Sequence, residues 1–320
     1  MNVLDTVAVA SRSFSNNKGL VKILKARYSN IILNATGATL EGQNLINFLS
    51  PANKAIIGIE IISAEVLQQL PKLKVISKYG VGINNLDIEA LKSQDIKLGF
   101  TPGVNKQSVA ELALTLTLLS LRKIHRNHAE ITEGIWSQEK GSELFGKTVG
   151  LLGFGHIGQK FASFFAPFAC KVIFFDEKRF SNQELQSLSK DLGLKPEQIQ
   201  QNQFEEVLRH ADILSIHLPL APETEDFISR AELSLLKSSI SIINTARGGI
   251  VNEAALHDFL LNNPDAFAAF DVYAEEPVFD SPLFSLSNFF GTSHRASLTN
   301  EGIDSMGTAA IRGLDFNTLL

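Results

Sequence analysis

The chain has 320 residues, 44% hydrophobic and 20% charged, which suits about two globular cores and excludes intrinsic disorder as its main state. Its formal charge of -5, with no run of Lys or Arg, argues against nucleic-acid and polybasic membrane partners. The single cysteine, Cys170, excludes an intrachain disulfide and a Cys-rich zinc site. Residues 1–5 carry no basic-then-apolar leader pattern. The apolar stretch 112–121 is interrupted by Thr115, Thr117 and Ser120 and is too short to span a bilayer. The expectation is a cytoplasmic protein.

In chain order, residues 6–9 read as a strand, 18–27 as a helix, 30–33 and 55–58 as strands on either side of the segment 43–49. Ser63 is an N-cap with Glu65 in the first turn, and Pro71 closes the helix they open. Strands at 73–78 and 96–99 follow. This βαβ rhythm predicts a parallel sheet covered on both faces. The composition shifts after Thr101-Pro102-Gly103. Residues 108–122 show helical apolar spacing, suited to core packing or a dimer contact. Residues 125–146 are more polar and hold Trp136. A second series has strands at 148–152, 171–175, 213–217, 241–244 and 267–271, with a helix at 157–168. The polar segment 179–203 reads as a surface helix and loop. The prediction is α/β, with two doubly wound parallel-sheet domains and hinges near Pro102 and after His294.

Gly153-Phe154-Gly155-His156-Ile157-Gly158 is the sharpest local signal. Alone such a motif is weak, but it follows a strand, opens a helix, and has Asp176 at the next strand end, 18 residues beyond Gly158. The glycines allow a tight turn and close backbone approach to a pyrophosphate, with the helix amino terminus favouring its charge. Asp176 would accept from the adenine ribose hydroxyls and repel a 2′-phosphate, so NAD is expected over NADP, with Arg179 nearby blurring the preference. A glycine turn without a ligand is the plain alternative.

Arg247, in Asn244-Thr245-Ala246-Arg247-Gly248-Gly249, lies just past a strand, at the sheet edge where α/β proteins hold ligands. Its guanidinium suits a carboxylate, or an ordinary salt bridge. Glu276 and His294 are candidates for an acid/base pair, with His217 a rival by position. Cys170 reads as a small core residue. His125 and His128 have an i, i+3 spacing but no suggested third ligand. They read as a solvated helix end, and no metal is expected.

Taken together these segments resemble the D-isomer-specific 2-hydroxyacid dehydrogenase family. The resemblance spans nearly the whole chain. Its elements are Lys78-Tyr79-Gly80-Val81-Gly82, Asn105 with Ser108-Val109-Ala110-Glu111-Leu112, the glycine loop with Asp176, His217-Leu218-Pro219, the Arg247 segment, Asp271-Val272 with Glu276-Pro277, and His294. The texture is closest to phosphoglycerate dehydrogenase-like members without a regulatory domain. The resemblance implies a NAD-binding Rossmann domain at 104–295 inserted into a flavodoxin-like substrate-binding domain formed by 1–103 and 296–320. It implies that Arg247 binds and polarises a 2-oxo acid, His294 is the acid/base, and Glu276 is its paired carboxylate. The Val81 and Gly82 amides would hold the substrate carboxylate. His156, Ile157, His217, Pro219, Thr245 and Asp271 join the glycines around the dinucleotide. It further implies domain closure and a homodimer formed through the cofactor domain, with the Trp136 region contributing.

Two departures bear on the substrate. The common Asp-Asn-Ile-Asp is here Asn84-Asn85-Leu86-Asp87. Where phosphoglycerate dehydrogenases commonly carry a phosphate-binding arginine, this chain has Gly58-Ile59-Glu60, and a glutamate would repel a phosphate. The expected activity is NAD-dependent hydride transfer on a D-2-hydroxy acid, phosphoglycerate dehydrogenase-like. The alternatives are a glyoxylate/hydroxypyruvate reductase on an unphosphorylated acid and a catalytically silent NAD(H)-sensing module of the corepressor kind. A Rossmann methyltransferase fits the glycine loop but not the Arg/Glu/His set.

Overall fold

The computed structural model describes residues 2–318, with side chains from residue 5 onward. The chain divides into two compact units, one running to Asn105 and resuming at Leu298, the other spanning Lys106–Ser297.

The first unit holds five parallel strands, β1 (Asn2–Val9), β2 (Tyr28–Leu33), β3 (Lys54–Ile57), β4 (Val75–Lys78) and β5 (Lys97–Gly99), in the order β2-β1-β3-β4-β5. That is the flavodoxin-like order, with its reversal between β1 and β3. Both faces are covered, so the central strands are apolar on both. Val7, Val9 and Ile56 pack with Phe14, Leu20 and Leu24 on one face. Ala8, Ala55 and Ile57 pack with Leu45, Leu49 and Leu67 on the other. Ser63 accepts from the Val66 N–H and caps helix Ala64–Gln68 as expected.

The last helix, Asn300–Gly313, is capped by Thr299 and returns to this sheet. Ala310, Ile311 and Leu314 join the Val7 face, and Ser77 Oγ donates to the Ala310 carbonyl at 2.6 Å. Gly99 meets Gly313 so closely that a Cβ on Gly99 would stand 2.2 Å from the Gly313 oxygen. Such backbone-on-backbone packing is available to glycine alone.

The second unit has seven parallel strands, β6 (Thr148–Leu152), β7 (Lys171–Phe175), β8 (Ile199–Gln201), β9 (Ile213–Ile216), β10 (Ser241–Asn244), β11 (Phe267–Phe270) and β12 (Phe289–Gly291), in the order β12-β11-β10-β9-β6-β7-β8. This is a Rossmann sheet extended by one strand, reversing between β6 and β9. The edge strands β8 and β12, three residues each, lie where no strand was expected. They are too short to show a period, and β8 is polar because it is half solvated.

The helix expected over 157–168 ends at Ser163, and a 3-10 turn at Ala166–Phe168 closes with Ala169 left-handed at φ 50°. Helix Ile124–Thr132 forms in the stretch read only as polar. Among the described residues no helix is long and apolar enough to cross a membrane.

Candidate active site

At the carboxyl end of β6 the chain turns through Gly153, left-handed at φ 92°. A Cβ there would stand 2.7 Å from the His217 carbonyl oxygen, and one on Gly158 would stand 2.3 Å from the Gly153 oxygen. These glycines seat the loop against its own sheet. Gly155 differs: a Cβ on it would meet nothing within 4 Å. It is the N-cap of helix His156–Ser163, and no side chain caps that helix. The helix amino terminus is therefore left without a side-chain cap beside an open Gly155, as a pyrophosphate site requires.

Asp176, just past β7, accepts from the Phe154 N–H at 2.6 Å through one oxygen and from the Lys178 N–H at 2.9 Å through the other. It ties the glycine loop to the strand end, and each oxygen keeps a lone pair for a ribose hydroxyl. Phe154 stacks on Phe174 at 3.9 Å beneath it.

Across the strand reversal, His217 follows β9. Its Nε2 lies 3.0 Å from Ser215 Oγ, while its Nδ1 is buried without a partner. Burial pushes the imidazole down to about 3, so it is neutral at physiological pH. Pro219 O accepts from Thr224 Oγ1, which fixes the turn after it. Past β10, Thr245 Oγ1 is likewise buried and unpartnered. Buried polar atoms without partners are uncommon in a folded chain. Two of them beside an open glycine cradle fit a dinucleotide whose nicotinamide half would supply the missing partners.

Asn244 ends β10 and shapes the next turn, accepting from Ala246 N–H at 3.0 Å and donating to the Arg247 carbonyl at 2.9 Å. The turn presents Arg247, whose Nη1 donates to the Ala246 oxygen at 2.6 Å. Burial lowers its pKa, partly countered by the charge of Glu276. His294, left-handed at φ 49°, places Nδ1 2.6 Å from Glu276 Oε2. The other Glu276 oxygen accepts from Tyr273 N–H at 3.0 Å. Burial alone would raise the Glu276 pKa. The hydrogen bonds from His294 and Tyr273, with the charges of His294 and Arg247, bring it below the usual carboxylate value. Sequence reasoning left open whether residues 276 and 294 meet, and they do.

Asp271, expected beside the nicotinamide, has a structural task as well. Fully buried, it accepts from Thr292 Oγ1 at 2.5 Å, Arg295 N–H at 2.9 Å and Ala296 N–H at 2.8 Å, while its own carbonyl accepts from His294 N–H at 2.8 Å. Two of these bonds fall on Oδ1 and one on Oδ2, so the carboxylate holds the turn that aims His294 while Oδ2 keeps a lone pair.

Val81 and Gly82 belong to the first unit, in the loop after β4 where Gly80 has φ 130°. Buried Lys78 steadies this loop, donating to the Gly58 carbonyl and to Asn85 Oδ1 at 2.7 Å. Glu60, expected to repel a phosphate, turns inward: it is 1% exposed and accepts from Gly58 N–H at 2.7 Å. Its neighbours Ile59 and Ile61 are 68% and 65% exposed.

His125 departs from the solvated reading. Its ring packs on Phe267 at 4.6 Å, Nε2 lies 3.0 Å from the Ser287 carbonyl oxygen, and burial lowers its pKa. Cys170 is buried, as expected, with its thiol pushed up to about 11.

A Rossmann sheet with an open glycine cradle, a strand-end aspartate and a His–Glu pair beside an arginine defines a dinucleotide-binding domain equipped for acid/base chemistry. Residues 114–296 match the NAD binding domain of the D-isomer specific 2-hydroxyacid dehydrogenases, and the chain belongs to that family. Its relatives include the D-3-phosphoglycerate dehydrogenase of Mycobacterium leprae, 39% identical over 77% of this chain and 45% of that protein. The hydroxypyruvate reductase of Thermotoga maritima is 32% identical over 84% of this chain and 86% of that protein. Among solved structures, the NAD-dependent formate dehydrogenase of Staphylococcus aureus in complex with NAD superposes with a TM-score of 0.78 at 27% identity, over 96% of this chain and 93% of that one. The chain spans about half the length of the phosphoglycerate dehydrogenases it matches.

Proposed function

We propose that this protein is an NAD-dependent oxidoreductase interconverting a small, unphosphorylated 2-oxo acid and its D-2-hydroxy acid. The observation that carries the reading is the 2.6 Å contact of His294 Nδ1 with Glu276, in the field of Arg247. Bound NADH supplies the hydride. Glu276, ionised and acceptor-only, holds the proton on His294 Nδ1 and leaves Nε2 to exchange a proton with the substrate oxygen. Arg247, fixed by Asn244, offers its guanidinium to the carboxylate and carbonyl of the acid. Neutral His217 and Thr245 would border the nicotinamide half, and Asp176 would accept from the adenine ribose.

The absence of an arginine in Gly58-Ile59-Glu60, where phosphoglycerate dehydrogenases commonly carry one, supports the unphosphorylated substrate. The relative of similar length named as a hydroxypyruvate reductase agrees with this. The second reading, 3-phosphoglycerate, rests on the identity with D-3-phosphoglycerate dehydrogenases. A homodimer through the second unit is proposed as well. Ile124, Ile131, Ile135, Trp136 and Phe145 are all about half exposed or more, with Trp136 at 82%, an apolar arm that a partner would cover.

The test follows NADH absorbance against hydroxypyruvate, glyoxylate, phosphohydroxypyruvate, pyruvate and 2-oxoglutarate, with Arg247→Ala as control. Arg247-dependent oxidation with hydroxypyruvate or glyoxylate ahead is expected. Preference for phosphohydroxypyruvate would select the second reading. NADH binding without turnover of any acid would leave the sensing module. A monomer by light scattering would end the dimer reading.

A further inference from the structure

The turn that presents Arg247 and the loop that carries Glu276 are tied together by contacts that no role above requires. Gly248 lies so close to the Tyr273–Ala274 peptide that a Cβ on it would stand 1.8 Å from the Tyr273 carbonyl carbon and oxygen. Five residues on, Glu253 opens helix Glu253–Asn262, and its Oε1 accepts from the Ala274 N–H at 2.7 Å. The preceding N–H, that of Tyr273, goes to Glu276 Oε1 at 3.0 Å. Two consecutive N–H groups are thus divided between two carboxylates, one on each side of the loop.

Residues 273–277 lie outside every helix and strand, and 274–277 are exposed. No ladder of hydrogen bonds fixes this backbone, so its conformation depends on such local clasps. The Tyr273 N–H in turn decides how Glu276 stands. With Oε1 held on the backbone, the carboxylate cannot rotate freely, and Oε2 is left facing the imidazole. Glu253 and Glu276 thus hold neighbouring N–H groups of one loop, and the bond to Ala274 accounts for the place of Glu253.

We propose that Glu253 is a positioning residue: by holding the Ala274 N–H it keeps the Tyr273 N–H on Glu276 and so fixes the direction from which Glu276 meets His294. The inference rests on the acid/base reading of that pair. Glu253 belongs to the helix after the Arg247 turn, so the clasp also sets the registration of the guanidinium turn against the His–Glu pair. Small misplacements of reacting groups lower turnover more than binding.

The experiment compares Glu253→Ala and Glu253→Gln by three readouts. These are amide hydrogen exchange at Tyr273 and Ala274 by NMR, steady-state kinetics with the preferred acid, and NADH affinity by fluorescence. In Glu253→Ala both amides should exchange about tenfold faster, and kcat should fall about tenfold while KM and NADH affinity stay within about twofold. Glu253→Gln, whose amide oxygen still accepts the Ala274 N–H, should restore both exchange and kcat. Release of Ala274 while Tyr273 stays protected would overturn the proposal. So would an unchanged kcat with both amides freed, or a Gln variant as impaired as Ala. If the wild-type protein reduces no acid at all, the acid/base reading fails, and the Tyr273 exchange rate alone decides the clasp.

Discussion

The two ends of the Rossmann sheet build their share of the site by different means. Around β6 and β7 the work is done mainly by missing side chains, with Asp176 tying the loop to the strand end. Gly153 and Gly158 let the loop lie on the backbone of its neighbours, and Gly155 leaves the helix end bare. Around β10 to β12 it is done by side-chain acceptors, with Asn244, Asp271, Glu253 and Glu276 each binding the backbone N–H of a turn. A flexible dinucleotide can settle into a smooth cradle. Proton transfer needs His294 aimed to a fraction of an ångström, and turns pinned at several points supply that.

The largest effect should come from the pinned end. His294→Ala should lower kcat by about 10²–10⁴-fold, the usual worth of a general acid/base, while NADH affinity stays within about twofold by fluorescence titration. Near-normal kcat would show that another group handles the proton, with His217 the first rival.

The smooth end should answer in the other quantity. Gly158→Ala, forced against the Gly153 oxygen, should weaken NADH binding about tenfold or more and lower the melting temperature. Gly155→Ala should weaken NADH but leave the melting temperature of the ligand-free protein within a degree or so, because its Cβ meets only open space. If both variants behaved alike, the division between a glycine that packs and one that receives would be wrong.

Legibility in the sequence divides along the same line. The cradle is local: strand, three glycines, helix and Asp176 fall within one βαβ unit, and each property follows from residue type and spacing. The βαβ rhythm likewise revealed both doubly wound sheets, missing only β8 and β12 at the edges. The pinned end joins residues far apart, Asp271 to 292–296 and Glu253 to 274, and no periodicity encodes which acid serves which turn. Asp271 was therefore singled out for the cofactor, while its bonds to the 292–296 turn went unread. The inward turn of Glu60 was hidden for a similar reason, since its charge could be read but its direction could not.

Asp271→Asn sharpens the comparison at smaller scale. The amide keeps one acceptor but sets an N–H₂ against a donor of the 292–296 turn, costing roughly 1–3 kcal/mol for a buried group left unsatisfied. Thermal unfolding should register that loss. Turnover should fall about tenfold as His294 loses its aim, with NADH affinity kept. A parallel loss of NADH affinity would show that Asp271 serves the cofactor as well as the turn.

The last effect is a pH dependence, and its sign follows from burial. His217 is pushed from 6.5 down to about 3 in the folded chain. Between those values the unfolded chain binds a proton there that the folded chain refuses. Stability therefore falls as pH drops from about 6.5 toward 3. Glu276 contributes on the acid side of that window. Its lowered pKa gives stability that is present above its unfolded value of 4.5 and lost as pH falls below it. His217→Asn removes the first effect and leaves the second. The variant's melting temperature should decline less steeply from pH 6.5 to about 5 than that of the wild type, with buried His125, whose pKa is also lowered, supplying the remaining slope, and both should fall below pH 4.5. An identical decline in both proteins above pH 5 would mean that another group titrates there. The neutral imidazole beneath the glycine loop would then lose its place as the titrating element of the smooth end.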